Sequence, residues 1–356
     1  MLHESHPGND RSGPDAAGIA DVARGLSDRL FLLLVFVTLL LASWIRPLTV
    51  PDEGRYADVG RWMVTHHDWL IPRLDGLPFF HKPPLLYWMD ATLFSVFGIS
   101  PAVARIAPVM AATLCCAGLM WFLRRHANAA VARFAVIVLA TSTLFYGGSQ
   151  YVNHDLLVAT WIALGILFFA DAAMTGERRS IFLGYLACGL GFMSKGMIGI
   201  ALPGLVLLPW LLATGRARKI PALLNPLGIL LLVAIILPWF LLVQRQFPGF
   251  VHYFFIEQQV DRYVAGSFNN KQPWWFYIAC LVVCFLPWWL LLPKSLLQRA
   301  RENLDGDVTG LMLWWVIAIV GFFSIPVSKL AGYVLPVAAP GAVSKMLVPA
   351  WRAGSK

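Results

Sequence analysis

The sequence is poor in charged residues. Only 13% of its 356 residues are Asp, Glu, Lys or Arg, about half of the roughly 25% that is usual in soluble domains. A soluble protein of this length must cover its surface with polar groups, so the composition excludes a soluble enzyme and a disordered chain. Hydrophobic residues instead make up 58% of the chain. The composition therefore predicts a membrane protein that crosses the bilayer several times.

Cysteine is also scarce, which excludes a secreted scaffold held together by disulfides. The five cysteines all lie in apolar stretches, and none has further metal ligands at zinc-site spacing. Free cysteine usually behaves as a small buried hydrophobe. We therefore predict inert thiols at Cys115, Cys116, Cys188, Cys280 and Cys284.

Acidic residues are outnumbered by basic ones, 19 against 28, which gives a net charge of +9. The basic residues are spread over many loops, and no free-standing basic patch carries base-stacking aromatic residues. Nucleic acid is therefore excluded as a partner. The sign of the charge instead bears on how the chain lies in a membrane.

Long uncharged runs are frequent, and ten of them approach the length of a bilayer crossing, about 20 residues. They predict an all-α integral membrane protein with about ten transmembrane helices. The alternative for the first run is a signal peptide, but the segment before it is unusually long and no clear cleavage site follows. The ten runs are 30–45, 106–123, 134–153, 156–170, 180–194, 196–215, 220–244, 272–293, 308–328 and 330–344.

When the N-terminus is placed in the cytoplasm, every second loop between spans also lies there. These cytoplasmic loops are the ones with clustered basic residues, as the positive-inside rule requires. Residues 1–29 are then a disordered cytoplasmic tail, 30–349 a transmembrane domain, and 350–356 a second cytoplasmic tail. Two long loops, 46–105 and 245–272, lie outside. Eleven basic residues remain at the outer face, where they are either solvated or gathered around an anion. Residues 84–98 predict an interfacial helix, since the run is short and contains Asp90.

The densest polar cluster opens the first outer loop. Pro51 followed by two acids is typical of a helix start, and Asp52 and Arg55 would share one face of that helix. The pair fits either an ionised carboxylate in a site or a simple helix cap with a surface ion pair. Further along, two prolines fix the backbone after Lys82, and a fixed lysine at the interface suits phosphate binding.

Five strings of the sequence stand out, in this order: PDEGRYADVGRWM, DWLIPRLDGLPFFHKPPLLYW, SKGMIG, FFIEQQVDRY and SIPVSKLAGYVLP. Together they resemble the aminoarabinose transferase and protein O-mannosyltransferase group of polyprenyl-phosphate-sugar glycosyltransferases. The resemblance implies the C-type glycosyltransferase fold, with interfacial helices in a long first periplasmic loop. It also implies inverting sugar transfer from undecaprenyl phosphate at the periplasmic face of the bacterial inner membrane.

The resemblance also implies the site residues. The essential carboxylate is Asp52 and a second acid is Asp155; the ligands of the donor phosphate are Lys82, Arg262, Tyr333, Arg55 and Lys329. Supporting positions are Glu53, Tyr56, Tyr87, Lys195 and Glu257. Because Lys195 and Lys329 adjoin apolar runs, each should have an anionic partner, although Lys195 would equally suit snorkelling to the headgroups.

The sequence departs from the family pattern in three places. His81 stands where Glu usually precedes Lys-Pro-Pro, and with His66 or His67 it could hold zinc, but four ligands are not found and a solvated histidine is favoured. We expect no required cofactor and leave a divalent metal open. Gln258 stands where His or Asn is expected. The chain ends at Lys356, so the family's C-terminal periplasmic domain is expected to be absent.

Two other classes of function remain open at this stage. A transporter or lipid flippase would also have many spans, although no internal repeat is found. An inactive, shortened relative would bind the lipid carrier only. For the enzyme, the sugar is 4-amino-4-deoxy-arabinose or a hexose. The acceptor is lipid A, another envelope glycan or a protein hydroxyl, and the oligomeric state is not predicted.

Overall fold

The computed structural model describes residues 27–261, 270–286, 288 and 306–344. Within these ranges the chain is almost entirely helical, and its one sheet is a two-stranded antiparallel hairpin of Arg73–Leu74 and Leu77–Pro78. The prediction of an all-α protein is confirmed. The predicted tail is largely outside the described residues, but its last two positions, 28 and 29, belong to the first helix.

The α-helices of the described residues are numbered here in chain order. They are α1 (Asp28–Leu41), α2 (Asp52–His66), α3 (Leu85–Phe97), α4 (Pro101–Ala104), α5 (Ile106–His126), α6 (Ala129–Thr141), α7 (Thr143–Ser149), α8 (His154–Thr175), α9 (Arg178–Lys195), α10 (Ile198–Ala213), α11 (Ile220–Leu223), α12 (Pro226–Gln246), α13 (Phe250–His252), α14 (Phe276–Cys284), α15 (Gly306–Ser324) and α16 (Ala338–Ser344). The 3₁₀ helices are Ala42–Trp44, Ala217–Lys219 and Ala331–Val337, and Tyr253–Asp261 is a π-helix.

Among the described residues, four helices are long and apolar enough to cross a membrane, or five if one bent pair counts as a single span. The predicted number of about ten is therefore not confirmed. Three further apolar helices have 10–17 residues, which is short for a crossing. The four are Pro101–His126, His154–Thr175, Pro226–Gln246 and Gly306–Ser324.

Two predicted crossings are interrupted where the backbone leaves the α-helical conformation. The run 134–153 is bent by 69° between α6 and α7, because Ser142 between them is extended. The run 330–344 starts as the 3₁₀ helix Ala331–Val337, which contains Pro336. Proline has no N–H to donate and disfavours a regular α-helix at this position.

Helix α8 lies at the centre of the bundle, and 83% of its most apolar stretch of 18 residues is buried. It packs against α5, α9 and α10. Close helix contacts depend on small residues: a Cβ added at Gly199 of α10 would lie 2.3 Å from the carbonyl carbon of Gly191 in α9. By contrast, only 22% of the most apolar stretch of α12 is buried, as expected of a helix that faces lipid.

Polar contacts gather several helix ends at one end of the bundle. Asp28 forms ion pairs with Arg124 and with Arg133, the latter at 3.0 Å. Asp171 near the end of α8 forms a salt bridge of 3.0 Å with Arg125 and a hydrogen bond of 2.8 Å with His126. His154, the first residue of α8, stands 17 positions before Asp171, so it lies about 25 Å away, at the opposite end of the helix. That opposite end carries the predicted site.

The first long loop is a compact layer built from α2, the hairpin and α3. Helices α2 and α3 pack closely, because Gly60 leaves room for Asp90: a Cβ at Gly60 would lie 2.7 Å from the Asp90 Cβ. The helix predicted over 84–98 is confirmed as α3. Its position at the membrane interface stays a prediction.

Candidate active site

Helix α2 presents its first turn to a cavity of about 750 Å³. Asp52 is the first helical residue after Pro51, and a carboxylate is stabilised at this positive end of the helix dipole. Its Oδ1 accepts a hydrogen bond of 3.1 Å from Arg55, one turn later. The two side chains remain 38% and 32% exposed. The predicted pairing of Asp52 with Arg55 is confirmed, and both residues line the cavity.

Behind Asp52, the side chain of Glu53 is completely buried in an ion-pair network. Arg105, also fully buried, donates two hydrogen bonds of 3.0 Å to the Glu53 carboxylate and others to the carbonyl oxygens of residues 43, 46 and 47. Arg46 and the backbone N–H groups of Thr49 and Val152 also donate to Glu53. Burial opposes ionisation of Glu53, but these donors outweigh it and lower its pKa to about 2. The network fixes the start of α2.

A second ion pair joins the ends of two other helices. Asp155 lies in the first turn of α8, where Asn153 caps the helix by accepting a hydrogen bond of 3.2 Å from the Asp155 N–H. Lys195, the last residue of α9, forms a salt bridge with Asp155, and these side chains are only 14% and 12% exposed. The Lys195 ammonium also lies 4.6 Å from the centre of the Tyr333 ring, a cation–π contact.

Glycine at position 332 permits this arrangement. A Cβ there would lie 2.3 Å from Oδ2 of Asp155, so the backbone of the 3₁₀ helix Ala331–Val337 rests directly on the carboxylate. Asp155, Lys195, Gly332 and Tyr333 all line the same cavity as Asp52.

The cavity wall also contains Lys82, whose residue is only 9% exposed. A second, largely apolar cavity of about 590 Å³ shares Asp52, Asn153 and Asp155 with the first. It extends between α7, α14 and the segment 330–335. The two carboxylates therefore border both a cavity with three basic side chains and a cavity with an apolar wall.

Comparison with known proteins agrees with this architecture. Residues 81–242 match the family model described as dolichyl-phosphate-mannose-protein mannosyltransferase. The chain is 32% identical over 319 residues to the undecaprenyl phosphate-alpha-4-amino-4-deoxy-L-arabinose arabinosyl transferase of Erwinia tasmaniensis, and 34% identical over 320 residues to that of Enterobacter sp.. Each alignment covers 88% of this chain and 58% of the relative.

The crystal structure of ArnT from Cupriavidus metallidurans bound to undecaprenyl phosphate superposes with a TM-score of 0.80 at 30% identity. That match covers 89% of this chain and 59% of the other. In sequence and in fold, the chain resembles the aminoarabinose transferase and protein mannosyltransferase group. It spans less than two thirds of the length of the relatives that it matches.

Several of the residues that the resemblance to this group implied come together in the larger cavity. These are Asp52, Arg55, Tyr56, Lys82, Asp155, Lys195 and Tyr333. The anionic partner predicted for Lys195 is Asp155, which excludes a free, snorkelling ammonium. Gln258, the departure from the family pattern, also lines the cavity, whereas Arg262 lies outside the described residues.

Other predicted positions do not line the cavity. Lys329 is buried, but its ammonium donates hydrogen bonds to the carbonyl oxygens of Pro326 at 2.6 Å and Gln272 at 3.2 Å. The prediction that Lys329 has an anionic partner is therefore wrong in the described structure, because backbone oxygens satisfy it. Glu257 is 53% exposed and lies 4.0 Å from His252. Glu53 and Tyr87 are buried behind the site and support it from there.

The described residues contain no group of three or more His, Cys, Asp or Glu side chains placed to hold a metal ion. His81 instead packs its ring against Phe79, with 4.4 Å between ring centres, and lies 6.5 Å from the ring of Tyr253.

Sequence reasoning missed the role of Arg105, which it counted only as one more outer cation. It also missed Tyr151, which lines the apolar cavity. Burial, and next the nearby Asp52 carboxylate, raise the pKa of Tyr151 above its ordinary value. The signal for Tyr151 was its place two residues before the Asn153 cap. Nothing in the sequence signalled the partners of Arg105, which come from distant segments.

Proposed function

We propose that this chain is a membrane glycosyltransferase that moves a sugar from undecaprenyl phosphate to an acceptor, with inversion at the anomeric carbon. The observation that supports the proposal is the cavity in which Asp52, Asp155, Arg55, Lys82 and Lys195 meet. The sugar of the proposed reaction is 4-amino-4-deoxy-arabinose, which the names of the arabinosyl transferases above support. The proposed acceptor is lipid A, which the resemblance found in the sequence favours.

The basic side chains of the cavity suit the leaving group. As the bond between the anomeric carbon and the phosphate oxygen breaks, its electron pair stays on the carrier phosphate and adds negative charge there. Cations already in place around that oxygen lower the barrier, because no reorganisation is needed during the step. Arg55, Lys82 and Lys195 are the described basic residues that line the cavity, and Tyr333 can add a phenol donor.

Asp52 faces the positive charge that develops at the anomeric carbon. Its Oδ1 accepts a hydrogen bond of 3.1 Å from Arg55. With an acceptor phosphate, already ionised, no proton has to be removed and Asp52 stabilises the sugar electrostatically. With a hydroxyl acceptor, Asp52 takes the proton as the acceptor oxygen attacks. Attack on the face opposite the phosphate inverts the configuration, and the phosphate ester needs no cofactor to leave.

The apolar cavity suits an isoprenoid or acyl chain next to the reacting groups, because it is lined by α7, α14 and the segment 330–335 and opens onto Asp52 and Asp155. In this proposal, the chain lies in the bacterial inner membrane with its N-terminus in the cytoplasm and the site on the periplasmic side. The support for this orientation is the clustering of basic loops at the end of the bundle opposite the site.

The test compares Asp52→Asn with Asp58→Asn in purified protein in nanodiscs, supplied with undecaprenyl-phosphate aminoarabinose and lipid A. Asp58 is a matched control: it lies on the same helix and pairs with Arg61 three residues later, yet it does not line the cavity. We expect Asp52→Asn to lower the rate of sugar transfer by roughly 10²- to 10⁴-fold, and Asp58→Asn to leave it nearly unchanged, as measured by mass spectrometry of lipid A.

The outcomes separate the competing functions. Equal rates in the two variants would show that Asp52 is not a catalytic residue. Movement of the sugar lipid across a vesicle membrane without transfer would instead favour a flippase. Binding of the carrier by the wild-type protein without transfer to any acceptor would favour a relative that only binds lipid.

A further inference from the structure

His154 is buried where four site-bearing segments meet. It is the first residue of α8, it has no exposed surface, and Asp155 follows it. Its ring contacts rings of α2 and α3, and its Nδ1 contacts the end of α9. Helix α2 carries Asp52 and Arg55, and α3 begins three residues after Lys82. Helix α9 ends in Lys195.

The imidazole forms a link parallel to the Asp155–Lys195 salt bridge. Nδ1 lies 2.8 Å from the carbonyl oxygen of Ser194. A carbonyl can only accept, so Nδ1 carries the hydrogen and donates it. Ser194 is in the last turn of α9, where carbonyl groups lack partners within the helix. Two adjacent residues of α8 therefore hold two adjacent residues of α9, one by a hydrogen bond and one by an ion pair.

The ring also holds α2 and α3. It meets the ring of Tyr56 edge-on, with 4.9 Å between centres and an angle of 90°, and that of Tyr87 at 5.1 Å and 85°. Edge-to-face contacts of this kind are directional. Tyr56 follows Arg55 on α2, so the ring relates the Asp52–Arg55 pair to the Asp155–Lys195 pair. In the described part of the chain, Nε2 has no hydrogen-bond partner, which leaves Nδ1 as the nitrogen that matters.

We propose that His154 is a positioning residue that sets the separation of these two ion pairs across the cavity. The inference rests on the proposed glycosyl transfer. It does not give His154 a contact with the donor or acceptor, since His154 does not line the cavity. A misplacement of about 1 Å can cost on the order of 10²-fold in rate, so loss of the link should act on kcat more than on KM for the carrier lipid.

The test uses His154→Asn, whose amide N–H can replace Nδ1–H, and His154→Leu, which fills the space without a donor. The control is His126→Leu, which removes another imidazole hydrogen bond, to Asp171, at the far end of the bundle. We expect His154→Leu to lower kcat at least 10-fold with KM changed less than threefold. His154→Asn should restore most of kcat, and His126→Leu should lower the unfolding temperature without lowering kcat.

The outcomes of these experiments separate this inference from the proposed function. Equal kcat values for His154→Asn and His154→Leu, or a loss of kcat in His126→Leu as large as that in His154→Leu, would overturn the positioning role while leaving glycosyl transfer intact. Nitrogen-15 NMR of histidine-labelled protein should show the Nδ1–H tautomer at His154, and the Nε2–H tautomer would overturn the inference whatever the activity. Absence of transfer by the wild-type protein would instead refute the proposed function.

Discussion

Replacement of Glu53 by Gln tests how the start of α2 is held in place. The wild-type carboxylate accepts charge-assisted hydrogen bonds from Arg105 and Arg46, and the pKa of Glu53 falls from 4.5 to about 2. A difference of about 2.5 pKa units corresponds to about 3 kcal/mol of stabilisation of the folded protein. In Glu53→Gln, Arg105 would also remain buried without its counter-charge, a change that typically costs about 3–5 kcal/mol.

We therefore expect Glu53→Gln to lower the free energy of unfolding by about 3–5 kcal/mol at pH 7. The control is Asp58→Asn on the same helix. Its ion pair with Arg61 is partly exposed, 26% and 45% for the two side chains, and such pairs contribute about 0–1 kcal/mol. The assay is denaturant and thermal unfolding of the purified protein in detergent, with both variants measured under the same conditions.

The pH dependence sharpens this test. Because the pKa of Glu53 is lowered in the folded state, its contribution is fully present above about pH 4.5 and is lost as the pH falls toward 2. The stability difference between wild type and Glu53→Gln should thus narrow between pH 5 and pH 3. A difference that stays constant over that range, or one no larger than that of Asp58→Asn, would refute the reasoning.

Two glycines give further predictions. Gly332→Ala should displace the Asp155 carboxylate, which lies 2.3 Å from the added Cβ, and lower the rate of sugar transfer at least 10-fold. The control Gly204→Ala, with no atom within 4 Å of its added Cβ, should retain the wild-type rate. Equal rates in the two variants would show that the carboxylate moves aside without consequence. Gly199→Ala would force its Cβ against the backbone at Gly191, so it should reduce the yield of folded protein in membranes. The yield is measured by fluorescence-detected size-exclusion chromatography. A wild-type yield would show that the two helices separate easily.

Local spacing was sufficient to predict the contacts that lie within one helix. Asp52 and Arg55 are three residues apart, and their pairing follows once α2 forms. Contacts between helices were not predictable in the same way. Lys195 required an anion, but only the fold shows that the anion is Asp155, 40 residues earlier in the chain. Arg105 was indistinguishable from a solvated cation until its partners from residues 43 to 53 were in place.

The number of crossings was the weakest prediction, for a related reason. Hydropathy measures how apolar a run is but not whether its backbone continues as one helix. The bend at Ser142 and the 3₁₀ turn at Pro336 interrupt two apolar runs, and packing in the protein interior can satisfy such breaks where lipid could not. Among the described residues, these two apolar runs are therefore not single regular helices.

The two ion pairs of the site differ in how easily they can exchange partners. Asp52 and Arg55 lie on one helix and are 38% and 32% exposed, so their mutual attraction is worth only about 0–1 kcal/mol. Asp155 and Lys195 are 12% and 14% exposed and join two helices, so breaking them would leave a charge buried between packed helices. When an anionic lipid phosphate enters the cavity, we expect Arg55 to turn toward it while Lys195 keeps its place beside Asp155. In the proposed reaction, binding of the donor would then release Asp52 from Arg55 before positive charge develops on the sugar. One binding event would place the cation next to the leaving group and free the carboxylate that stabilises the sugar.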